Sequence, residues 1–341
     1  MLRGAIIGVG NAALTGHLPA FLDDPWLSAR VKLIAAADRS DANRRAIAER
    51  VPGIALFDSG EQLVRSAEAD FIDLCTPPDA RLGLIAAAAE RGIHVLCEKP
   101  LAADLARGLE IASTLAGRPV VFQPCHQYRD SPLWRKLFEI AGAGEIGDVR
   151  LARFDVLRPR ADQGNPHGHA LWRRDPRVAG GGVVFDIGTH YFYLLRSLFG
   201  RPERVHARVK RLTHRPEEVE DTALVVLEFP AALVQLNLSW AADRRENGLR
   251  LIGAKGRLEL RGERLVMERE GAAPVEWDFA GALSKSAYPR WYAALFRRFV
   301  EDVERGRHSR EPLAEALDGL RLADLVYRSG ESGEALRFAQ P

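Results

Sequence analysis

A carboxylate and an imidazole stand four residues apart in this chain, at Asp186 and His190, directly behind three consecutive glycines at 180–182. At helical spacing, two such side chains share one face of the helix. An imidazole exchanges protons near neutral pH, so the pair is suited to proton handling. The glycines carry no Cβ atom and would let the backbone pass close to a flat ligand. The segment therefore predicts a proton-handling site, with helix capping or simple solvation as the alternative for both side chains.

A second chemical signal lies at the amino terminus, where a short apolar run enters a glycine-rich turn at residues 8–13. Its order of two glycines and a small third residue is a fingerprint of dinucleotide binding. Gly8 would allow the tight turn, Gly10 would let the backbone approach a pyrophosphate, and Ala13 would let the following helix pack on the strand. The expected cofactor contacts of this turn come from Gly8, Gly10, Asn11 and Ala12.

The next apolar run, residues 31–37, is typical of a buried strand and ends at Asp38. This is the distance at which a carboxylate binds the ribose hydroxyls of NAD, and the alternative is a helix N-cap for the stretch that starts near Asp41. Arg39 leaves NADP as the alternative cofactor, because a guanidinium can stack on adenine or bind a 2′-phosphate. The sequence therefore predicts a nicotinamide dinucleotide, with NAD favoured over NADP.

A third signal is Lys99, within Glu98-Lys99-Pro100 at the end of another apolar run. Ligands of open parallel sheets bind at the carboxyl ends of the strands, where Lys99 would emerge. The chain's 48 basic residues include only six lysines, so lysine is not its default cation. The alternative is a solvated strand-end cation paired with Glu98.

Strand-like and helical stretches alternate from residue 3 to about residue 123, which indicates parallel βαβ units. Within this part, apolar runs lie at 71–75, 93–96 and 120–123, and helical patterns at 82–91 and 105–116. The composition changes at Pro124, after which a polar segment extends to Asp130. We therefore expect a cofactor domain at residues 1–123 and a domain for substrate binding and oligomerisation at residues 124–341.

The second part of the chain shows alternating runs without intervening helices, which predicts a largely antiparallel sheet and an α+β domain. These runs lie at 204–212, 222–229, 232–240 and 249–260. Two helical stretches, 290–304 and 313–327, close the chain and are expected to pack on the sheet or on the first domain.

Composition favours a two-domain globular enzyme of 341 residues, with 47% hydrophobic and 28% charged residues. A net charge of +2 from 48 basic and 46 acidic residues argues against a nucleic-acid partner. Three cysteines without CxxC spacing indicate reduced core residues. Because no apolar run has the length of a membrane span and the first lacks a cleavage site, we expect a cytoplasmic protein without a membrane partner.

Together these motifs resemble the Gfo/Idh/MocA family, named after glucose-fructose oxidoreductase, inositol dehydrogenase and rhizopine-catabolism oxidoreductases. The resemblance covers essentially the whole chain and rests on the turn at 8–13, Thr76-Pro77-Pro78, Glu98-Lys99-Pro100, and residues 180–182 with Asp186, Gly188 and His190. It implies an N-terminal Rossmann domain with a doubly wound parallel sheet. It also implies a C-terminal domain with an open-faced, mainly antiparallel sheet covered by helices.

For the site, the resemblance implies catalytic roles for Lys99, Asp186 and His190, and cofactor contacts from Thr76, Pro77, Glu98 and Lys99. It also allows a cis peptide between Lys99 and Pro100. Members of the family commonly form dimers or tetramers through the outer sheet face, so a homodimer or homotetramer is expected. The chain departs from many relatives at Arg81, where they have a histidine.

The expected reaction interconverts a secondary alcohol and a ketone on a sugar, sugar derivative or cyclitol by hydride transfer, with His190 as acid and base. Alternatives are a noncatalytic nucleotide-sensing protein and a dehydrogenase for a dihydrodiol or another carbonyl compound. The candidate substrate residues are His126, Arg129, Arg158, His169, Trp172 and Arg173. His126 and Arg129 fit a structural role at the domain junction equally well. No metal is expected, although His167 and His169 have a spacing that ligands sometimes use.

Overall fold

The computed structural model describes residues 1–161, 170–215 and 218–339 and divides the chain into two compact units. Unit 1 comprises Met1–Asp130 and Ser286–Leu317, and unit 2 comprises Ser131–Lys285 and Asp318–Pro341. The first of the two closing helices therefore belongs to the same unit as the N-terminal residues. The assignment of cofactor binding to residues 1–123 and of substrate binding to 124–341 stays a prediction.

Unit 1 contains a six-stranded sheet in which every neighbouring pair of strands is parallel. Its strands are β1 (Leu2–Ile7), β2 (Val31–Ala37), β3 (Ala55–Phe57), β4 (Phe71–Leu74), β5 (His94–Cys97) and β6 (Phe122–Pro124). Their order, β3-β2-β1-β4-β5-β6, is that of a doubly wound sheet with a switch point between β1 and β4. The predicted Rossmann architecture is confirmed.

Unit 2 contains a nine-stranded sheet that is antiparallel except for one parallel pair, β7 with β10. Its strands are β7 (Val149–Leu157), β8 (Arg204–Lys210), β9 (Thr222–Phe229), β10 (Ala232–Ser239), β11 (Glu246–Gly253), β12 (Gly256–Arg261), β13 (Arg264–Arg269), β14 (Val275–Asp278) and β15 (Leu336–Arg337). Residues along β9 alternate between buried and exposed, as one covered face requires. The predicted open-faced, mainly antiparallel sheet is confirmed.

The expected single run at 249–260 is wrong, because β11 ends at Gly253 and β12 begins at Gly256. The two strands pair antiparallel, with Leu249 opposite Leu260. A Cβ atom at Gly253 would overlap the carbonyl oxygen of Ile146, so the backbone turns where no side chain fits. The turn lies at Gly253-Ala254-Lys255-Gly256, and its two glycines are a turn signal that a search for alternation alone does not register.

The helices in the described part of the chain are α1 (Leu18–Asp23), α2 (Pro25–Ser28), α3 (Asp41–Arg50), α4 (Gly60–Ser66), α5 (Arg81–Glu90), α6 (Leu105–Leu115), α7 (Pro132–Gly142), α8 (Pro176–Ala179), α9 (Thr189–Phe199), α10 (Tyr288–Glu304) and α11 (Glu311–Ser332). Four of them, α5, α6, α10 and α11, begin within two residues of the predicted helical stretches. Wider π-helical turns, Ala13–His17 and Val184–Gly188, lead into α1 and α9. Among the described residues, no helix combines the length and apolar character that a bilayer span requires.

Aromatic packing explains why α10 belongs to unit 1. Phe296 stacks on Phe21 of α1 with ring centroids 4.6 Å apart, and Phe299 meets Phe71 of β4 edge-on at 5.4 Å. All four rings are buried. Burial of side chains of this size stabilises a fold by roughly 1.5–3 kcal/mol each.

Candidate active site

The glycine-rich turn after β1 is packed directly against the end of β4. Gly8 has a φ of +89°, and a Cβ atom there would lie 2.8 Å from the backbone nitrogen of Thr76. Only glycine fits this conformation and this approach without strain. By contrast, no atom of the described residues, apart from the chain neighbours, lies within 4 Å of the Cβ position of Gly10. The turn therefore closes against β4 on one side and leaves open space at Gly10.

Asp38 holds this turn from the end of β2. Its Oδ2 accepts a hydrogen bond of 2.7 Å from the backbone N–H of Val9, and its Oδ1 accepts one of 2.8 Å from Ser40. The N-cap of α3 is Ser40, whose hydroxyl accepts from the backbone N–H of Asn43. The helix-cap alternative for Asp38 is therefore wrong, and its carboxylate lies beside the glycine turn.

Thr76 supplies the observation that best fits a bound dinucleotide. Its hydroxyl is buried and has no hydrogen-bond partner among the residues that the structure describes. Buried hydroxyl groups are normally paired, so an orphan beside an open glycine turn indicates a polar ligand. Among the other predicted cofactor residues, Asn11 and Arg39 are exposed to solvent, while Ala12 and Pro77 are partly exposed. These residues follow β1, β2 and β4, whose carboxyl ends share one edge of the parallel sheet.

Arg81 ties two strand ends together at this edge. It is 2% exposed, and its guanidinium donates to the carbonyl oxygens of Glu98 and Pro100 and, at 2.6 Å, to that of Thr76. The Lys99–Pro100 bond is cis, which confirms that prediction. Arg81, which departs from the pattern of the resembled family, is therefore a buried residue that holds residues 98–100, the Lys99 turn, in place. Its guanidinium has enough N–H donors for three carbonyl oxygens.

The carboxylate of Glu98 faces the interior of unit 1. It accepts from the Nε2 of His17 at 2.9 Å, from the hydroxyl of Tyr292 at 2.6 Å and from the backbone N–H of Lys99 at 3.0 Å. Burial raises the pKa of Glu98, but the hydrogen bond and charge of His17 outweigh it and lower the pKa to about 2. Glu98 is thus an ionised anchor behind Lys99, and its cofactor contact stays a prediction.

His126 and Arg129 lie in unit 1 and share one carboxylate. The Nδ1 of His126 is 2.6 Å from Glu315, and Arg129 donates to the other oxygen of the same group. His126 and Glu315 are 7% and 5% exposed. These contacts are those that the structural alternative requires, and a substrate contact by either residue stays a prediction.

In unit 2, the glycine run before Asp186 is explained by the protein itself. A Cβ atom at Gly182 would overlap the carbonyl oxygen of Glu220, and one at Gly181 would overlap the hydroxyl of Tyr327. Gly180 has a φ of +78° and ends α8. The expectation that these glycines admit a flat ligand is corrected, because the Glu220 backbone and the Tyr327 side chain of the same unit occupy the space at Gly182 and Gly181.

Glu220 orders the start of the segment that carries Asp186. Its carboxylate accepts from the backbone N–H groups of Gly182 at 2.9 Å and Val184 at 3.0 Å, and from the Tyr327 hydroxyl at 2.8 Å. Burial raises the pKa of Glu220 against the effect of these hydrogen bonds. The Val184–Gly188 turn thus begins on a fixed acceptor, which fixes the direction of the residues that follow.

Asp186 and His190 lie on consecutive turns of one helical segment, Val184–Gly188 followed by α9. Asp186 keeps 29% of its side chain exposed, and the Nε of Arg173 lies 3.9 Å from its Oδ1. His190 is buried, with its Nδ1 3.1 Å from the hydroxyl of Tyr193. The guanidinium of Arg173 also lies 4.6 Å from the ring centroid of Trp172. Unit 2 therefore brings four of the predicted site residues into one region.

The remaining candidate substrate residues of unit 2 are Arg158 and His169. Arg158 is 6% exposed and donates to the carbonyl oxygens of Leu157 and Glu246 and to the side chain of Asn247. These bonds hold the ends of β7 and β11 together, and a substrate contact by Arg158 stays a prediction. His167 and His169 lie outside the described residues.

Sequence reasoning missed the residues that hold the candidates in place. They are His17, Asp73 and Tyr292 around Glu98, and Glu220 and Tyr327 around the glycine run. Each acts through partners distant in sequence, so no local spacing marks it. Only Arg81 carried a signal, as a departure from the pattern of the resembled family.

Comparison with known proteins agrees with this architecture. The family model described as an oxidoreductase family with an NAD-binding Rossmann fold matches residues 2–126, and the GFO/IDH/MocA C-terminal domain model matches residues 134–259. A D-xylose 1-dehydrogenase (NADP⁺) from Haloferax volcanii is 27% identical over 98% of both chains. A dTDP-3,4-didehydro-2,6-dideoxy-α-D-glucose 3-reductase from Streptomyces violaceoruber is 30% identical over 80% of this chain and 76% of its own.

Among solved structures, a levoglucosan dehydrogenase in complex with NADH and L-sorbose superimposes with a TM-score of 0.86. The match covers 100% of this chain and 99% of the other at 17% identity, and at that identity it shows the fold alone. The two matched family models, together with relatives named dehydrogenase and reductase, establish the chemistry at the level of the family. The chain belongs to the GFO/IDH/MocA family and is an NAD(P)-dependent oxidoreductase.

Proposed function

We propose that this oxidoreductase interconverts a secondary alcohol and a ketone on a sugar, sugar derivative or cyclitol, with NAD preferred over NADP. The observation that carries the proposal is the Asp186 and His190 pair on one segment, whose start is fixed by Glu220. The D-xylose dehydrogenase and the deoxysugar reductase among the relatives support a sugar-like substrate. Asp38 supports NAD, because a carboxylate beside the glycine turn would repel a 2′-phosphate.

The residues divide the chemistry among them. The nicotinamide ring, when bound, accepts a hydride in oxidation and returns one in reduction. His190, whose Nδ1 lies 3.1 Å from the Tyr193 hydroxyl, removes the hydroxyl proton. The ammonium group of Lys99 donates a hydrogen bond to the reacting oxygen and stabilises its negative charge. Asp186 orients the substrate hydroxyls.

Cofactor binding in this proposal uses the glycine turn and the strand ends around it. The backbone at Gly8 and Gly10 and the N–H groups at the start of the following helix would hold the pyrophosphate of the cofactor. The buried hydroxyl of Thr76, which has no hydrogen-bond partner in the described part of the chain, would donate to the cofactor. Trp172 offers an aromatic face to the apolar side of a ring substrate, and Arg173 binds its polar groups.

The test is turnover of the purified protein with NAD⁺ or NADP⁺ against a panel of aldoses, polyols, cyclitols and uronates, followed by absorbance of the reduced nicotinamide. Lys99→Met and His190→Asn should each lower kcat at least about 100-fold, because both remove groups that act on the reacting oxygen. Lys32→Met, which changes an exposed lysine of β2, is the matched control and should keep full turnover.

Two results would contradict the proposal. One is full turnover in both the Lys99 and the His190 variants. The other is saturable cofactor binding without turnover of any sugar, polyol or cyclitol, which would point to a dihydrodiol substrate or to nucleotide sensing instead.

We also propose that the protein is a cytoplasmic homo-oligomer that assembles through the outer face of the unit 2 sheet. This face exposes apolar side chains that a monomer would leave in water, namely Leu151, Leu224, Val226, Leu233 and Ile252. The three free thiols, Cys75, Cys97 and Cys125, suit a reducing compartment. Sedimentation of the wild-type protein as a monomer at micromolar concentration would contradict the assembly.

A further inference from the structure

A completely buried histidine lies one hydrogen-bonded group away from the Lys99 backbone. The Nδ1 of His17 is 2.8 Å from Oδ2 of Asp73, and its Nε2 is 2.9 Å from Oε1 of Glu98. The side chains of His17 and Asp73 are 0% exposed, and that of Glu98 is 8% exposed. The reaction proposed above assigns no role to His17.

The two short contacts define the protonation state of the ring. Ionised carboxylates only accept hydrogen bonds, so each ring nitrogen must donate. Glu98 is ionised, since it also accepts from Tyr292 and from the Lys99 backbone. Burial opposes a charge on His17, yet the adjacent Asp73 carboxylate outweighs it, and the pKa of His17 rises well above its usual range.

The other groups that face the ring do not supply a competing charge. Cys75 Sγ lies 3.4 Å from Nδ1, and burial raises the pKa of this thiol to about 12. The rings of Tyr292 and Phe296 pack on the imidazole at 4.2 and 5.1 Å. His17 is therefore enclosed by two carboxylates, two thiols and two aromatic rings, an environment that favours the imidazolium form.

A metal ion is the alternative occupant of this cluster. His17, Asp73 and Cys125 place possible ligand atoms within 4.8 Å of one another. However, an imidazolium has no lone pair for a metal on either nitrogen. Burial also raises the pKa of the Cys125 thiol well above its usual range, whereas metals bind thiolates. The charge network is thus the better description of these contacts.

We propose that His17 is a positioning residue for Lys99: its positive charge keeps Glu98 ionised, and Glu98 then holds the backbone N–H of Lys99. The inference rests on the proposed function only for what Lys99 does to the substrate. Without the imidazolium, Glu98 would be a buried carboxylate that has lost its charged donor, and its pKa would rise. The Lys99 turn would then lose its charged anchor.

The test uses two nuclear magnetic resonance signals that need no substrate. Because the chain has only six lysines, methylation with ¹³C-formaldehyde gives few dimethyl-lysine signals, and Lys99→Arg assigns that of Lys99. His17→Gln assigns the ¹⁵N signals of the ring. We expect both ring nitrogens to stay protonated from about pH 5 to about pH 8, where an ordinary histidine loses a proton. We also expect His17→Gln to shift the Lys99 signal.

Control variants separate positioning from packing. Phe296→Leu trims a ring that packs on His17 without removing a hydrogen bond of the network, and it should leave the Lys99 signal in place. Tyr292→Phe removes one neutral donor from Glu98 and should shift that signal less than His17→Gln does. Once a substrate is known, His17→Gln should lower kcat about tenfold or more, with a nearly unchanged Kd for NADH. Loss of a group that orients a functional side chain through a hydrogen bond has an effect of this size in metal sites.

Three results would overturn the proposal. The first is a His17 ring that loses a proton near pH 6.5. The second is a Lys99 signal that moves equally in Phe296→Leu and His17→Gln. If His17→Gln does not fold, the corresponding result is a Lys99 signal that Tyr292→Phe leaves unchanged. The third is Zn²⁺ binding that removes the protonated ring signals. A panel that yields no substrate leaves these measurements intact, so the two proposals fail separately.

Discussion

At the scale of single residues, the polar side chains of the candidate site differ widely in exposure, and the proposed base His190 is only 5% exposed. Asp186 keeps 29% of its side chain exposed, whereas His17 and Asp73 have none. Lys99 and Asp186 are recognisable from sequence because motif and spacing are local. The partners of Glu98 are 81 and 194 residues away, at His17 and Tyr292, and no spacing rule predicts such pairs.

The glycine run gives a prediction at this scale. Gly182→Ala should destabilise unit 2 by about 1–3 kcal/mol or more, because its Cβ atom would overlap the Glu220 carbonyl oxygen and force the backbone apart. Gly83→Ala is the matched control, since Gly83 is exposed on α5 with nothing within 4 Å of its Cβ position. That change should stabilise by about 0.4–1 kcal/mol. Urea unfolding measures both, and equal stability of the two variants would contradict this explanation of the glycines.

At the scale of elements, the carboxyl ends of β1, β2, β4 and β5 collect the cofactor candidates at one edge of the parallel sheet. The alternation of strands and helices in residues 3–123 made this arrangement predictable. Interactions that join one strand end to another were not predictable, because they depend on three-dimensional approach. Arg81 is the clearest case, since the sequence marked it only as unusual. The tight turn between β11 and β12, by contrast, carries a local signal in Gly253 and Gly256.

Arg81 gives the prediction for this scale. Arg81→Gln should destabilise the protein by about 2–4 kcal/mol, because buried carbonyl oxygens at Thr76, Glu98 and Pro100 lose charged donors. It should also weaken NADH binding, since the ends of β4 and β5 lose their link. Arg45→Gln, which breaks an exposed ion pair with Asp41 on α3, should change stability by less than about 0.5 kcal/mol. Thermal unfolding and NADH titration check both variants. Similar stability and NADH affinity in the two would contradict the role of Arg81 in linking the ends of β4 and β5.

At the scale of the whole molecule, buried carboxylates of low pKa make stability depend on acid in both units. The pKa values of Glu98 and Glu315 in unit 1 and of Asp221 in unit 2 all fall to about 2, although burial alone would raise them. A carboxyl group whose pKa is lower in the folded state stabilises the fold above its unfolded pKa. That stabilisation is lost as the pH falls through the folded pKa. The loss is therefore expected between about pH 4.5 and about pH 2.

Glu315 allows this dependence to be measured. Glu315→Gln should lower the free energy of unfolding at pH 7 by on the order of 3 kcal/mol, because the charge-assisted bonds from His126 and Arg129 weaken. The variant should also lose less stability than the wild type between about pH 4.5 and about pH 2. Glu49→Gln, at an exposed position of α3, should follow the wild-type profile. Parallel profiles for the Glu315 variant and the wild type would contradict this account of the acid dependence.

The central claim, a dinucleotide site formed at the glycine turn and the strand ends of unit 1, is tested most directly by equilibrium titration of the purified protein with NADH and with NADPH. The account predicts saturable binding, tighter for NADH because of Asp38, and much weaker binding in Gly8→Val, where a side chain would meet the Thr76 backbone. Absence of binding by either dinucleotide up to about 1 mM would contradict it.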